Sequence, residues 1–226
     1  MTATRTAQPA AQPPSPAPPA EGSTSTPPAA EGPAPVQIAP DAGAMLLRIA
    51  RAVVAATASG RFRPADLSGF LPREPPPVLL TPCAAFVTLH EGGELRGCVG
   101  SLATDRPLWM TVVSAAVAAA SRDPRFLPVG EAELPALSID VSVLGPPVPL
   151  PEPSAFRPGV DGLIVERGDR RGLLLPEVAT DAGWGAREML EATCRKAGLP
   201  HDAWRDPATC VLVFRTARVS ETESPG

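Results

Sequence analysis

The sequence predicts an α+β fold of mainly antiparallel sheet with packed helices. Two hairpins and the placement of the helices predict it. Gly92-Gly93 joins extended runs at 84–90 and 95–99, and a charged tip from Glu166 to Arg171 joins runs at 162–165 and 172–175. Runs with helical spacing of apolar residues lie between these groups of strands.

Taken in order, residues 1–40 hold eleven of the thirty-one prolines, three charges and no aromatic residue. Such a segment buries too little apolar surface to offset the entropy of ordering, so it is expected to be a disordered Ala/Pro-rich tail. It is either a tether or Pro-module ligand, or an extension without a function of its own. The folded domain is expected over 41–219, with 220–226 a flexible C-terminus. Asp41 can cap a helix whose apolar residues Met45, Leu46, Ile49, Val53 and Val54 recur until Gly60. Prolines between Arg61 and Pro82 remove backbone donors, so an irregular connection is expected there.

A two-residue turn at Gly92-Gly93 pairs His90 with Leu95, Leu89 with Arg96, Thr88 with Gly97 and Val87 with Cys98. That register puts His90 about 10 Å from the position opposite Cys98, at about 3.3 Å per residue, and on the other face of the hairpin. Thr104 or Asp105 can cap a helix through Leu108, Val112, Val113, Ala116 and Ala119, with an alanine run suited to close packing on the sheet. Asp123-Pro124 marks its end. The run 137–144 alternates Leu137, Ile139, Val141 and Val143 with Ser138, Asp140 and Ser142, giving an apolar and a polar face. A loop over 145–158, the second hairpin, a turn bearing Trp184, a helix over 186–197 ended by Gly198, and one closing strand over 210–219 complete the chain.

The net charge of −4 and pI near 5.3 lack the basic excess that phosphate binding needs, which excludes nucleic acid as an expected partner. Four cysteines without C-x-x-C spacing and two histidines offer no usual zinc set, so no metal and no cofactor is expected. No signal sequence and no run of membrane-spanning length is present, so the expected location is the cytoplasm, with reduced thiols and no membrane contact.

The chemistry concentrates in Glu94-Leu95-Arg96-Gly97-Cys98-Val99-Gly100. Cys98 is a thiol flanked by Gly97 and Gly100, where another molecule can approach the backbone, and Arg96 supplies a cation able to lower a thiol pKa. Asp123 and Arg125 offer a second charged pair, able to orient an anionic group or to close a loop. Cys98 itself can act as nucleophile or carrier, line a cleft, or pack in the core. Cys83, Cys194 and Cys210 are expected to pack.

Several of these stretches occur together and in order: Phe86-Val87-Thr88-Leu89, the Leu95–Leu102 string, Arg122-Asp123-Pro124-Arg125-Phe126, Ile139-Asp140-Val141-Ser142-Val143-Leu144, Asp161-Gly162-Leu163-Ile164-Val165 and Cys194-Arg195-Lys196-Ala197-Gly198-Leu199-Pro200. In this the chain resembles the AMMECR domain family over about residues 43–218, and in particular the members named AmmeMemoRadiSam system protein A. The resemblance implies two subdomains forming a cleft lined by the Cys98 motif, and partnership with a Memo-like protein and a radical S-adenosylmethionine (SAM) protein. Glu177 and His201 depart from the residues usual at their places, glutamine and proline, so no family role is carried to them.

Two functions follow. In the first, the chain is a binding component of that system, holding a small molecule or a partner segment in the cleft through Arg96, Gly97, Gly100, Asp123 and Arg125. In the second it is a small enzyme with Cys98 as catalytic nucleophile or covalent carrier.

Overall fold

The computed structural model describes residues 33–34, 36–63, 69, 71 and 73–221. Most of the expected tail, residues 1–32 and 35, and residues 222–226 of the expected flexible C-terminus lie outside the described residues.

The elements are α1 (Pro40–Ala58), α2 (Pro77–Leu80), β1 (Ala84–Glu91), β2 (Glu94–Ser101), α3 (Leu108–Ser121), β3 (Leu137–Leu144), β4 (Val148–Pro149), β5 (Gly162–Arg167), β6 (Arg170–Leu174), α4 (Glu177–Ala182), α5 (Ala186–Lys196), β7 (Cys210–Phe214) and β8 (Thr216–Ser220). They form two antiparallel four-stranded sheets, ordered β2-β1-β3-β8 and β4-β7-β5-β6. The expected α+β class is what the chain adopts.

α1 and α3 cover one face of the first sheet. α1 offers Leu46, Ile49, Ala50, Val53 and Val54, and α3 offers Val112, Ala116, Ala119 and Ala120, against Val87, Leu89, Ile139, Val141 and Val143. Burying each of the larger residues is worth about 1.5–3 kcal/mol. Asp41 does not cap α1: Ala39 holds the cap position and Pro40 the first turn, where the missing proline N–H costs nothing, and Asp41 lies inside that turn. Val36 and Ile38, ahead of the expected domain start, pack against the same core. At the other end Ser220 is buried in β8, and Glu221 receives Arg51 Nε at 2.9 Å and Ile139 N–H at 2.9 Å.

The second sheet packs α5 through Val165, Cys194 and Ala197, and the two sheets share a cluster of Ala84, Leu144, Ile164, Leu173 and Phe214. The chain passes between the sheets twice. After β3 it crosses at Gly145, and the expected single closing strand is two strands that change sheet at Arg215. The two crossings are tied together by the Gly145 N–H donating to the Arg215 carbonyl at 2.9 Å. The region read as a turn before Trp184 contains α4, and α2 lies inside the expected irregular connection.

The first hairpin departs from the expected register. Glu91 pairs with Glu94 and His90 with Leu95, but then Leu89 pairs with Gly97 and Thr88 with Cys98. Arg96 is thus the extra residue of a β-bulge, which shifts every later residue of β2 by one and swaps its face. Cys98 therefore shares a face with Thr88 and His90, and the expectation that His90 points away from it is overturned.

The glycines of β2 fill packing roles. A Cβ on Gly97 would stand 2.5 Å from the Ala119 carbonyl oxygen of α3, and one on Gly100 would collide with the Phe86 ring. Gly97→Ala is expected to destabilise the fold by about 1–3 kcal/mol through overpacking against a backbone atom that cannot swing aside, read as a lowered urea midpoint at unchanged slope.

Candidate functional site

The bulge gathers polar residues on the face of the first sheet that points away from α1 and α3. Cys98, Thr88 and Asp140 lie in one row across β2, β1 and β3, and Gly100, Phe86, Ser142 and Arg218 in the next. This face is not left to solvent. Asp140 is 4 % exposed and Ser142 2 % exposed, so the polar face of β3 is buried as completely as its apolar one. Buried polar groups must find partners, and Asp140 finds two, in His90 and Arg218.

Cys98 is half-buried, and its thiol accepts a hydrogen bond from Thr88 Oγ1 at 3.3 Å. β2 is the edge strand, so alternate backbone groups look outward from the sheet. The outward group at Cys98 is capped by the loop after α3. Asp123 Oδ2 accepts the Cys98 N–H at 2.8 Å, and Arg125 Nη2 reaches the Cys98 carbonyl at 3.5 Å. The same carboxylate accepts Arg125 Nε at 3.0 Å, Nη2 at 2.7 Å and the Arg125 N–H at 3.1 Å. The expected pairing in which Asp123 orients Arg125 is present. Those bonds from Arg125, with the one from Cys98, hold the Asp123 carboxyl well below the usual carboxylate range despite its burial.

Arg96 does not act on the thiol as expected. Its Nε and Nη2 donate to Glu133 at 2.7 and 3.1 Å, and its guanidinium lies 5.8 Å from the centre of the Phe126 ring. Arg125 stacks on the same ring at 5.4 Å. The cations whose fields reach Cys98 are Arg125 and Lys196, the last residue of α5. Burial is the largest influence and pushes the thiol up; the Thr88 bond and those two charges work against it, and Glu177 adds to it. On the side a Cβ would occupy, Gly97 meets the Ala119 carbonyl of α3 and Gly100 meets the Phe86 ring.

His90 is committed elsewhere. Its Nε2 lies 3.0 Å from Asp140 Oδ2, which also accepts Arg218 Nη2 at 2.6 Å. Asp140, His90, Arg218, Thr88, Glu177 and Lys196 did not figure among the expected site residues. The alternation Ile139-Asp140-Val141-Ser142 carried a signal for Asp140, because a charge on the polar face of a central strand needs a partner there. Lys196 lay within the Cys194–Pro200 stretch of the resemblance, where no role was attached to it.

Two rows from Cys98 along the same face, beyond Phe86, lies a cavity of about 290 Å³ between the sheets, walled by Cys83, Leu102, Leu144, Ile164, Arg171 and Phe214 among others. Of the first hairpin's motif only its far end, Leu102, reaches it.

The AMMECR1 family model matches residues 47–219. The chain belongs to the AMMECR1 family. A protein of Methanothermobacter thermautotrophicus is 46% identical to it over 181 residues, which span 77% of this chain and 92% of the relative. One from Aeropyrum pernix is 43% identical over 194 residues, 81% of this chain and 80% of its own. The crystal structure of an uncharacterised protein from Pyrococcus horikoshii superimposes with a TM-score of 0.73 at 37% identity, covering 80% of this chain and 92% of that one. Both sheets, but for Ser220 at the end of β8, and the Cys98 site fall inside the matched AMMECR1 region. Among the described residues no helix is long and apolar enough to cross a membrane.

The Asp123 clamp of this AMMECR1 domain predicts a pH signature. Its carboxyl titrates lower folded than unfolded, so its contribution is complete above the unfolded value of about 3.9 and is lost as pH falls towards the folded one. Asp123→Asn is expected to cost about 2–4 kcal/mol at pH 7, since it leaves Arg125 and the Cys98 N–H without their anion. In urea titrations from pH 6 downward the gap between wild type and variant should stay constant to about pH 4 and then narrow.

Proposed function

We propose that this AMMECR1 chain is a binding component that works in the cytoplasm with a Memo-like protein and a radical SAM protein. Its ligand, a small molecule or a segment of a partner, seats at Cys98 on the polar face of the first sheet, in a cleft that the β2 motif lines. The observation that carries the reading is that Cys98 is held rather than activated. Its N–H is fixed by Asp123, and its thiol receives a hydrogen bond from Thr88. Burial is the strongest influence on its proton and favours the neutral thiol, whereas a nucleophile must be a thiolate. The imidazole on the same face is engaged with Asp140 rather than with the thiol.

The second reading, an enzyme with Cys98 as nucleophile or covalent carrier, is favoured by one observation. Thr88, Arg125 and Lys196 all act to stabilise a thiolate, and a ligand that altered the burial would shift the balance between them and the desolvation.

Alkylation of Cys98 by iodoacetamide, followed by peptide mass spectrometry, separates the two readings. The rate is expected to keep rising above about pH 8.5, the unperturbed thiol value; a plateau reached below pH 8 would favour the enzyme. The binding reading itself is checked by co-expressing the full chain with the Memo-like and radical SAM proteins of the same genome. A complex that survives gel filtration and is weakened at least tenfold by Arg125→Gln is expected, and no complex between the purified proteins would overturn it.

A further inference from the structure

Beyond Phe86 the space between the two sheets is left unfilled, and the way it is kept open specifies what it accepts. Ala84 and Leu144 of the first sheet and Ile164 and Phe214 of the second bound it, with Leu102 beside them, around a volume of about 290 Å³. Each sheet carries one phenylalanine on this face, and each ring is laid on the glycine opposite it in the neighbouring strand. A Cβ on Gly100 would stand 2.3 Å from Phe86 Cγ, and one on Gly162 would stand 2.3 Å from Phe214 Cζ. Rings seated on glycine do not project into the gap, so the gap persists.

The walls decide the chemistry. The strand residues offer hydrocarbon, and Pro82, Pro146 and Pro147 have no N–H to donate. Water in such a space finds few of the two to four polar partners that hold it, so an apolar body is favoured over solvent. The volume is roughly twice the about 150 Å³ that takes up benzene in an apolar protein cavity, which leaves room for a ring with a short substituent.

Arg171 is the one charged residue of the walls among the described residues. It lies in the row of the second sheet next to Ile164, directly opposite Glu166, whose Oε1 is 2.5 Å from its Nε. Its two Nη groups make no hydrogen bond among the described residues, and the side chain is 45% exposed. A carboxylate placed on these donors would stand within about one strand spacing, about 5 Å, of the Glu166 carboxylate and would lose its hydration to the apolar walls. A carbonyl oxygen meets neither cost. We propose that the space between the sheets is a second binding site, for an uncharged molecule of aromatic-ring size whose hydrogen-bond acceptor meets Arg171. Thr88, which holds the thiol, and Ala84 are four residues apart on β1, about 13 Å at about 3.3 Å per residue, so this site is separate from Cys98 and stands or falls apart from the binding reading above.

The test uses the full chain with 13C-labelled isoleucine δ1-methyl groups. Of the four isoleucines Ile164 lines the space, and Ile38, Ile49 and Ile139 pack in the core beneath α1 and α3, where they serve as references. Three probes of similar size are titrated: acetophenone, which is uncharged and carries an acceptor, toluene, which has none, and benzoate, which is an anion. Acetophenone is expected to shift the Ile164 methyl with a Kd of about 1 mM or below and to leave the reference methyls in place. Toluene and benzoate should each bind about tenfold more weakly. Arg171→Met should reduce acetophenone to the affinity of toluene and leave toluene unchanged, and Leu102→Trp, which fills the space, should abolish both. Reference methyls at their wild-type positions show that the variants are folded. A packing fault that holds only water predicts an Ile164 methyl unmoved up to the solubility limit of acetophenone. That result would overturn the proposal, as would equal shifts at all four methyls, benzoate binding as tightly as acetophenone, or full acetophenone affinity in Arg171→Met.

Discussion

Arg96 occupies the extra position in β2 because its guanidinium has somewhere better to be than in the ladder: Glu133 holds it in two hydrogen bonds and Phe126 lies beneath it. The strand beyond the bulge is turned over by one face. Gly97 then meets α3, where only hydrogen fits against the Ala119 carbonyl, and Cys98 swings to the opposite face beside Thr88. Without the bulge Cys98 would face α3 as one more small apolar core residue, and Gly97 would be on the polar side. The loop carrying Phe126 also carries Asp123 and Arg125, so the contact that produces the bulge brings the clamp to the strand it has exposed.

A polar face on a central sheet is tolerable only if something covers it and answers its charges. The paired crossings at Gly145 and Arg215 do the covering, because they carry the second sheet, α4 and α5 across from the first. Asp161, 1 % exposed, anchors this region by accepting Arg157 Nε and Nη2 at 2.9 and 2.7 Å. Lys196 and Glu177 are delivered to Cys98 by this second half, and Asp123 and Arg125 by the first. The site thus draws on both sheets, and its charge balance depends on their staying docked.

The parts of this arrangement legible in the sequence are those set by local pattern. Gly92-Gly93, the alternation from Leu137 to Leu144 and the alanines of α3 are short-range signals, and each appears in the structure where the pattern puts it. The bulge was not legible, since it depends on Glu133 and Phe126, some thirty to forty residues from Arg96. An ideal two-residue hairpin counted forward from its turn therefore misplaced every residue after Leu95. The split of β7 and β8 was hidden for a related reason. Residues 210–219 keep an extended pattern throughout, and only the pairing partners reveal that Arg215 changes sheet. Lys196 stood in a helix end that explains a lysine well enough by itself, and its second neighbourhood exists only after folding.

The motif around Cys98 can now be divided by what each residue does. Arg96 sets the register, Gly97 and Gly100 allow α3 and Phe86 to come close, and Cys98 alone presents a reactive atom. A glycine-flanked thiol next to an arginine reads as an activated nucleophile when the arginine's field is assigned to the thiol. Here that arginine is neutralised by Glu133, and the opposing fields come from Arg125 and Lys196, too weak together to outweigh burial. The neutral thiol that results is a weak hydrogen-bonding group of small size, held by Thr88 at its sulfur and by Asp123 at its backbone N–H.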